Sequence, residues 1–155
     1  MNDTVQSTIA ATTDDDWLVR TRLLLGDEAL RRLASAHVLV AGLGGVGAYA
    51  AEQLCRGGIG EMTIVDGDTI QPSNRNRQLP ALRSTEGRRK AEVMAERLRD
   101  INPALRLHVV DEYLRDARLE ELVSRRYDYV VDAIDTLSPK VYLIVHALRA
   151  GNRVV

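Results

Sequence analysis

Six residues, Gly42-Leu-Gly-Gly-Val-Gly47, constrain this 155-residue chain more than any other segment. They follow a brief β-favouring run, His37-Val-Leu-Val-Ala41, and lead into Val46-Gly-Ala-Tyr-Ala-Ala-Glu-Gln-Leu54, whose composition and spacing are helical. Strand, glycine turn and helix in that order present backbone N–H groups and the positive helix end to a phosphate-bearing ligand. Nineteen residues past Gly47, Asp66 closes a second strand, Met62-Thr-Ile-Val65. A carboxylate placed there can accept hydrogen bonds from both hydroxyls of an unphosphorylated ribose, which favours an adenosine ligand. The turn and the acid do not separate NAD from ATP, and a tight turn needing glycine for packing alone is the plainer alternative.

The remaining chain alternates in the same way. Residues 1–16 lack hydrophobic periodicity and read as a disordered tail. Two short helices are expected from Trp17 to about Leu33, interrupted at Gly26. After a long polar loop, helical spacing resumes from Thr85 to Ile101 and closes at Asn102-Pro103. A third strand (Leu105 to Val110), a short helix (Asp116 to Val123), a fourth strand (Tyr127 to Ala133) and a helix from Pro139 to Ala150 follow. Val154-Val155 opens a fifth strand, where the sequence stops, so a fragment or a chain completed by another is expected. The order implies right-handed crossovers and a Rossmann-like, doubly wound, mostly parallel α/β sheet. With no Phe and one Trp, its core must be built from Val, Leu, Ile and Ala, which suits a sheet covered by helices on both faces.

Twenty-one basic against 22 acidic residues leave a net charge of −1, so contact with a polyanion such as RNA must come from a local patch. Cys55 is the only cysteine, which excludes an internal disulfide and a cysteine-based zinc site built within this chain. The polar, acidic start and the lack of any membrane-length apolar stretch point to a cytoplasmic protein with no membrane partner.

Past Asp66 the chain reads Asp68-Thr-Ile-Gln-Pro-Ser-Asn74-Arg75-Asn76-Arg77-Gln78, a polar cluster that the second strand carries to the nucleotide. Hydride transfer has little use for it. Adenylyl transfer needs cations around the α-phosphate and a metal to neutralise departing pyrophosphate, so the cluster favours ATP. Arg77 and, on the next helix, Lys90 are the candidate cations. The fourth strand ends in Asp132-Ala-Ile-Asp135, at the strand end where parallel sheets bind ligands, and Asp135 is a candidate Mg2+ ligand. Otherwise Asp132 or Asp135 would cap the following helix.

These residues together resemble the ThiF/MoeB/HesA family, relatives of ubiquitin-activating enzymes. The match runs from about Arg20 to the last residue through Gly42 to Gly47, Asp66 and Asp68, Ser73-Asn74 with Arg77-Gln78, Gly87 with Lys90-Ala91, Asn102-Pro103, and Asp132 with Asp135. The resemblance implies that residues 17–155 are an ATP-binding adenylation domain. It places Gly42, Gly44, Gly45 and Gly47 at the phosphates, Asp66 on the ribose, and Asp68, Asn74 and Gln78 around the nucleotide. It also puts Arg77 and Lys90 on the phosphates and Mg2+ on Asp135. A homodimer is implied as well, in which Arg22 or Arg20 reaches the partner's ATP, with a sulfur-relay protein as a further partner. Arg22-Leu-Leu-Leu-Gly26, the run Gly87 to Pro103, and Val131 to Lys140 are most similar to the family's tRNA-modifying dehydratases. Those adenylate the carboxylate of threonylcarbamoyladenosine at position 37 of tRNA and so allow its cyclisation. Two alternatives are an adenylyltransferase acting on the C-terminal glycine of a ubiquitin-like sulfur carrier, and a nucleotide-binding or dimerisation module without turnover.

Elsewhere the bland readings win. Cys55 is expected to be a small buried side chain without catalytic use. His37, His108 and His146 have no second ligand at a metal-like spacing in sequence and read as structural or exposed. Arg88, Arg89, Arg97 and Arg99 read as a solvated surface in preference to a tRNA-facing patch.

Overall fold

Leu39, Val40 and Ala41 have no exposed surface, and Val38 is buried beside them, so the strand before the glycine turn is covered on both faces. A continuous apolar run of this kind belongs at the centre of a parallel sheet. The computed structural model describes residues 16–114 and 116–155, and the expected disordered tail, apart from Asp16, lies outside them. Its sheet has strands β1 (His37–Ala41), β2 (Glu61–Val65), β3 (Arg106–Val110) and β4 (Tyr129–Asp132), in the order β3-β2-β1-β4. All three pairings are parallel.

Among the described residues five α-helices flank the strands: α1 (Val19–Ser35), α2 (Gly47–Arg56), α3 (Lys90–Ile101), α4 (Asp116–Ser124) and α5 (Leu137–Arg149). The pleat sends alternate side chains to opposite faces. Val38, Val40, Met62 and Ile64 meet Ala48, Ala51 and Cys55 of α2 and Met94 and Leu98 of α3. Leu39, Ala41, Val65 and Val130 meet Leu119, Leu122 and Val123 of α4 and Leu143 and Ala147 of α5. The chain is therefore a Rossmann-like α/β fold, as its alternating pattern implied. Chain order reverses between β1 and β4, and the crevice beyond their carboxyl ends is where such sheets take ligands.

The local expectations hold at Gly26 and Val154 and fail at Thr85. α1 is interrupted at Gly26, whose φ of +81° stands where two helices were expected to part. Thr85, expected to open α3, lies in a 3-10 turn from Arg83 to Thr85, and the helix starts at Lys90. The reason is a backbone pairing that periodicity does not report. Ile70 N–H donates to Arg88 O at 2.8 Å and Lys90 N–H to Asp68 O at 3.0 Å, which sets Arg89 against Thr69 in an antiparallel bridge. Val154 forms a parallel bridge to Val130, so a fifth strand does open beside β4. Among the described residues no helix is long and apolar enough to cross a membrane.

Candidate functional site

The glycine turn divides into two glycines that the fold requires and two that it does not. Gly42 has a φ of +93°, and a Cβ there would lie 2.6 Å from the carbonyl oxygen of Ala133, just past β4. A Cβ on Gly47 would lie 1.8 Å from Gly42 O. These two positions close the turn against itself and against β4, and no side chain can enter either. At Gly44 a Cβ would be 3.7 Å from Gln78 Nε2, and at Gly45 it would be 3.6 Å from Arg77 Cγ and Arg77 O. Those are ordinary van der Waals separations. Neither backbone needs a positive φ, so packing alone leaves Gly44 and Gly45 unexplained.

The same distances show what surrounds the turn. The segment carrying Arg77 and Gln78 lies over Gly44 and Gly45, while Ala133 and Ile134 of the β4–α5 connection abut Gly42. α2 starts immediately afterwards with no side chain capping its first turn, so its leading N–H groups face the same side. Gln78 is 8% exposed, and its Oε1 is a buried polar atom with no hydrogen-bond partner. An orphaned acceptor at that depth calls for a donor from outside the chain.

Asp66 locks the turn to β2. Leu43 N–H donates to its Oδ2 at 2.7 Å, and Asp68 N–H donates to Oδ1 at 2.8 Å. Burial pushes the Asp66 carboxyl above its ordinary value, against those two hydrogen bonds and the charge of Lys90. Asp68 shifts the other way. Burial alone would raise it, but hydrogen bonds from Lys90 and Tyr113 and the charge of Arg89 hold it low. Lys90 itself is buried at the first residue of α3, with Nζ 2.8 Å from Asp68 Oδ2.

The remaining candidates fall into three groups. Arg77 is exposed, with Nη1 donating to Ser73 O at 3.2 Å and to Asn76 Oδ1 at 3.0 Å. Asn74 Oδ1 accepts from Gln71 N–H at 2.9 Å inside a 3-10 turn, Pro72–Asn74, so in this structure Asn74 shapes the loop. Asp132 and Asp135 cap nothing: Thr136 occupies the N-cap of α5 without a side-chain bond to the helix. Asp132 instead accepts from Lys140 Nζ at 2.5 Å and Ile134 N–H at 3.1 Å. Asp135 is exposed, touched by Thr136 Oγ1 at 3.3 Å. Arg22 stands apart, on α1, paired with Asp16 and with Asp27 at 3.0 Å, while Arg20 is exposed on the same helix.

Three of the arginines of α3 and its approach are engaged by neighbouring acids. Arg88 pairs with Glu92 and Glu96, Arg89 with Asp111, and Arg97 with Glu52. Burial lifts the Cys55 thiol to about 11, and its sulfur donates to Leu98 O at 3.4 Å, the inert state expected of it. Sequence reasoning missed one convergence. His37 and His108, which have no partner along the chain, meet Glu61 in space once three strands pair in register.

Comparison with known proteins identifies the family. The profile of the ThiF family matches residues 18–155. The tRNA threonylcarbamoyladenosine dehydratase of Escherichia coli K12 is 47% identical over 138 residues, covering 87% of this chain and 52% of that protein. The crystal structure of the E. coli dehydratase in complex with ATP superposes with a TM-score of 0.86 at 44% identity, over 93% of this chain and 60% of that one. At lower similarity, the molybdopterin-synthase adenylyltransferase of E. coli K12 is 36% identical over 113 residues, covering 73% of this chain and 44% of that protein. The chain spans about half the length of the curated dehydratases it matches.

Proposed function

This chain belongs to the ThiF family, and from that premise we propose that it is the ATP-binding part of a dehydratase that adenylates the carboxylate of threonylcarbamoyladenosine in tRNA. The observation that carries the reading is the pair Gly44 and Gly45. They are glycine where the chain itself leaves room for a methyl group, under a loop that bears Arg77. A phosphate chain lying along those backbones would need both the missing side chains and the exposed N–H groups.

The chemistry follows from the need to make a carboxylate electrophilic. A carboxylate oxygen attacks the α-phosphorus, the bond from that phosphorus to the pyrophosphate oxygen breaks, and pyrophosphate leaves with the electron pair. A nucleophile within the substrate then attacks the acyl carbon and loses its proton, and AMP departs carrying the former carboxylate oxygen. The net loss of water is thus coupled to ATP cleavage. Charge builds on the phosphoryl oxygens during the first step, and preorganised cations stabilise it there. Arg77 and Lys90 serve that role, and Asp66 holds the ribose.

Mg2+ belongs to the same reading, and the donor set fits it. Of the acids around the crevice, Asp68 and Asp132 already face lysine ammoniums, whereas Asp135 has only a neighbouring hydroxyl. One carboxylate completed by substrate phosphates and waters is the usual protein share of a Mg2+ site. The ion would supply charge neutralisation to the departing pyrophosphate. A homodimer partner is favoured by α1, where Leu23 and Leu24 are 75% and 81% exposed next to Arg22. An apolar stripe of that kind is what a subunit contact covers.

Pyrophosphate release is the test. It should require tRNA carrying threonylcarbamoyladenosine and be absent with unmodified tRNA. Release dependent on a sulfur-carrier protein instead would replace the tRNA substrate with a ubiquitin-like one and leave the ATP site standing. ATP binding with no release under either condition would mark a nucleotide-binding module.

A further inference from the structure

At the amino-terminal end of the sheet, remote from the glycine turn, side chains of three adjacent strands converge. His37 opens β1, Glu61 opens β2, and His108 lies within β3. Register sets His37 opposite Glu61 and His108 opposite Thr63, so all three project from the face covered by α4 and α5. One ligating atom of each lies within 4.8 Å of the other two. Glu61 Oε1 is 2.8 Å from His108 Nε2 and 3.7 Å from His37 Nδ1. Donors held at about 2.0–2.1 Å around a tetrahedral ion stand roughly 3.3 Å apart, a spacing that these two distances straddle.

The surroundings orient the three groups. His37 Nε2 is hydrogen-bonded to Thr63 Oγ1 at 2.9 Å, which turns Nδ1 toward Glu61. Arg106 Nη2 donates to Glu61 Oε2 at 2.8 Å and leaves Oε1 for the imidazoles. Asp128 accepts the His37 backbone N–H at 2.8 Å and fixes the strand end. Outer partners of this sort hold ligating rings and carboxylates in place at protein metal sites. The Arg106 guanidinium, paired with Glu61 Oε2, opposes a cation at this site, and it is 67% exposed.

We propose that His37, Glu61 and His108 bind one divalent transition-metal ion of the zinc, cobalt or nickel class, which ties the amino-terminal ends of β1, β2 and β3 together. Two imidazole nitrogens and one carboxylate oxygen select those ions over Mg2+ or Ca2+, which take oxygen ligands. His108, half exposed, gives the ion its entry, and water from that side completes the shell. The site is separated from Gly42 by the length of β1, about 13 Å. It therefore takes no part in the proposed adenylation.

The experiment is a titration of the tag-free protein with zinc alone, read by calorimetry and by melting temperature, with cobalt absorption reporting the ligand field. One zinc per chain and a melting temperature that rises with zinc are expected. His108→Gln should weaken zinc at least about ten-fold and abolish the thermal shift. Glu61→Gln should weaken it comparably, whereas His146→Gln, on α5, should leave zinc binding intact. Failure of the wild-type protein to bind zinc below about millimolar concentration would overturn the site and leave an ordinary histidine-carboxylate-arginine ion cluster. Unchanged zinc binding in His108→Gln would overturn it equally.

Discussion

Lys90 Nζ lies 2.8 Å from Asp68 Oδ2, and the lysine side chain is 6% exposed while the aspartate is 48% exposed. The ammonium sits in the first turn of α3, at the positive end of the helix dipole, where a buried cation is disfavoured. Asp68 is what makes it tolerable. Asp68→Asn should destabilise the fold by about 2 kcal/mol, the usual scale for losing a hydrogen bond to a charged group. Lys90→Met keeps the volume and removes the charge, so it should leave stability within about 1 kcal/mol. Pyrophosphate release should nevertheless fall by about 10²–10³ if Lys90 stabilises the transferring phosphate. Denaturant melts and turnover on the two variants separate these effects. A Lys90→Met protein with normal turnover would remove Lys90 from the machinery.

Gly42 and Gly47 are required by the backbone alone. Gly42→Ala brings a methyl to 2.6 Å from Ala133 O at a left-handed φ, and Gly47→Ala brings one to 1.8 Å from Gly42 O. Each should cost more than about 1 kcal/mol in a urea melt, with or without nucleotide. A melt indistinguishable from wild type would mean that the turn is looser than described.

Asp66 accepts one backbone N–H on each oxygen, from Leu43 and from Asp68. Asn has a single acceptor, so Asp66→Asn must leave one of those N–H groups without its partner, at about 1–3 kcal/mol. Because the same carboxylate is assigned to the ribose, ATP affinity should also fall, by about ten-fold or more for a lost charge-assisted pair. Calorimetry checks the second effect, and an unchanged Kd would place the ribose elsewhere.

Glu52 joins α2 to α3 through Arg97 and also pairs with Arg56 on its own helix, and it is buried at 6% exposure. The hydrogen bond from Arg97, above all, holds its carboxyl below the ordinary 4.5, against the effect of burial. A depressed folded-state value means that the stabilisation is present above pH 4.5 and is lost as pH falls through the lower folded value. Glu52→Gln should therefore cost about 1–3 kcal/mol at neutral pH. Melting temperatures of the variant and the wild type should converge toward pH 3, below the ordinary 4.5. A gap that stays constant with pH would assign the effect to packing.

Much of this arrangement was legible before coordinates because its signals are local. β1, the glycine turn, α2, β2 and Asp66 follow one another within thirty residues, each marked by composition or by a strand end. The loop from Asp68 to Lys90 was not legible in detail. Its shape depends on the antiparallel bridge of Thr69 with Arg89 and its flanking hydrogen bonds, which no periodicity announces. The salt bridges that occupy Asp68 and Asp132 were hidden for the same reason, and they are what singles out Asp135 among the acids. His37, Glu61 and His108 are separated by tens of residues, and only the register of three strands brings them together.

Calorimetric titration of ATP into wild-type and Gly45→Ala protein asks whether Gly44 and Gly45 are glycine in order to admit ATP. A methyl at Gly45 meets Arg77 at an ordinary 3.6 Å, so the variant should melt with the wild type. It should bind ATP at least about ten-fold more weakly, because the phosphate can no longer approach the backbone. NAD should bind the wild type far more weakly than ATP does. Undiminished ATP affinity in Gly45→Ala, or equal affinity of the wild type for NAD and ATP, would mean that the turn is not an ATP phosphate site.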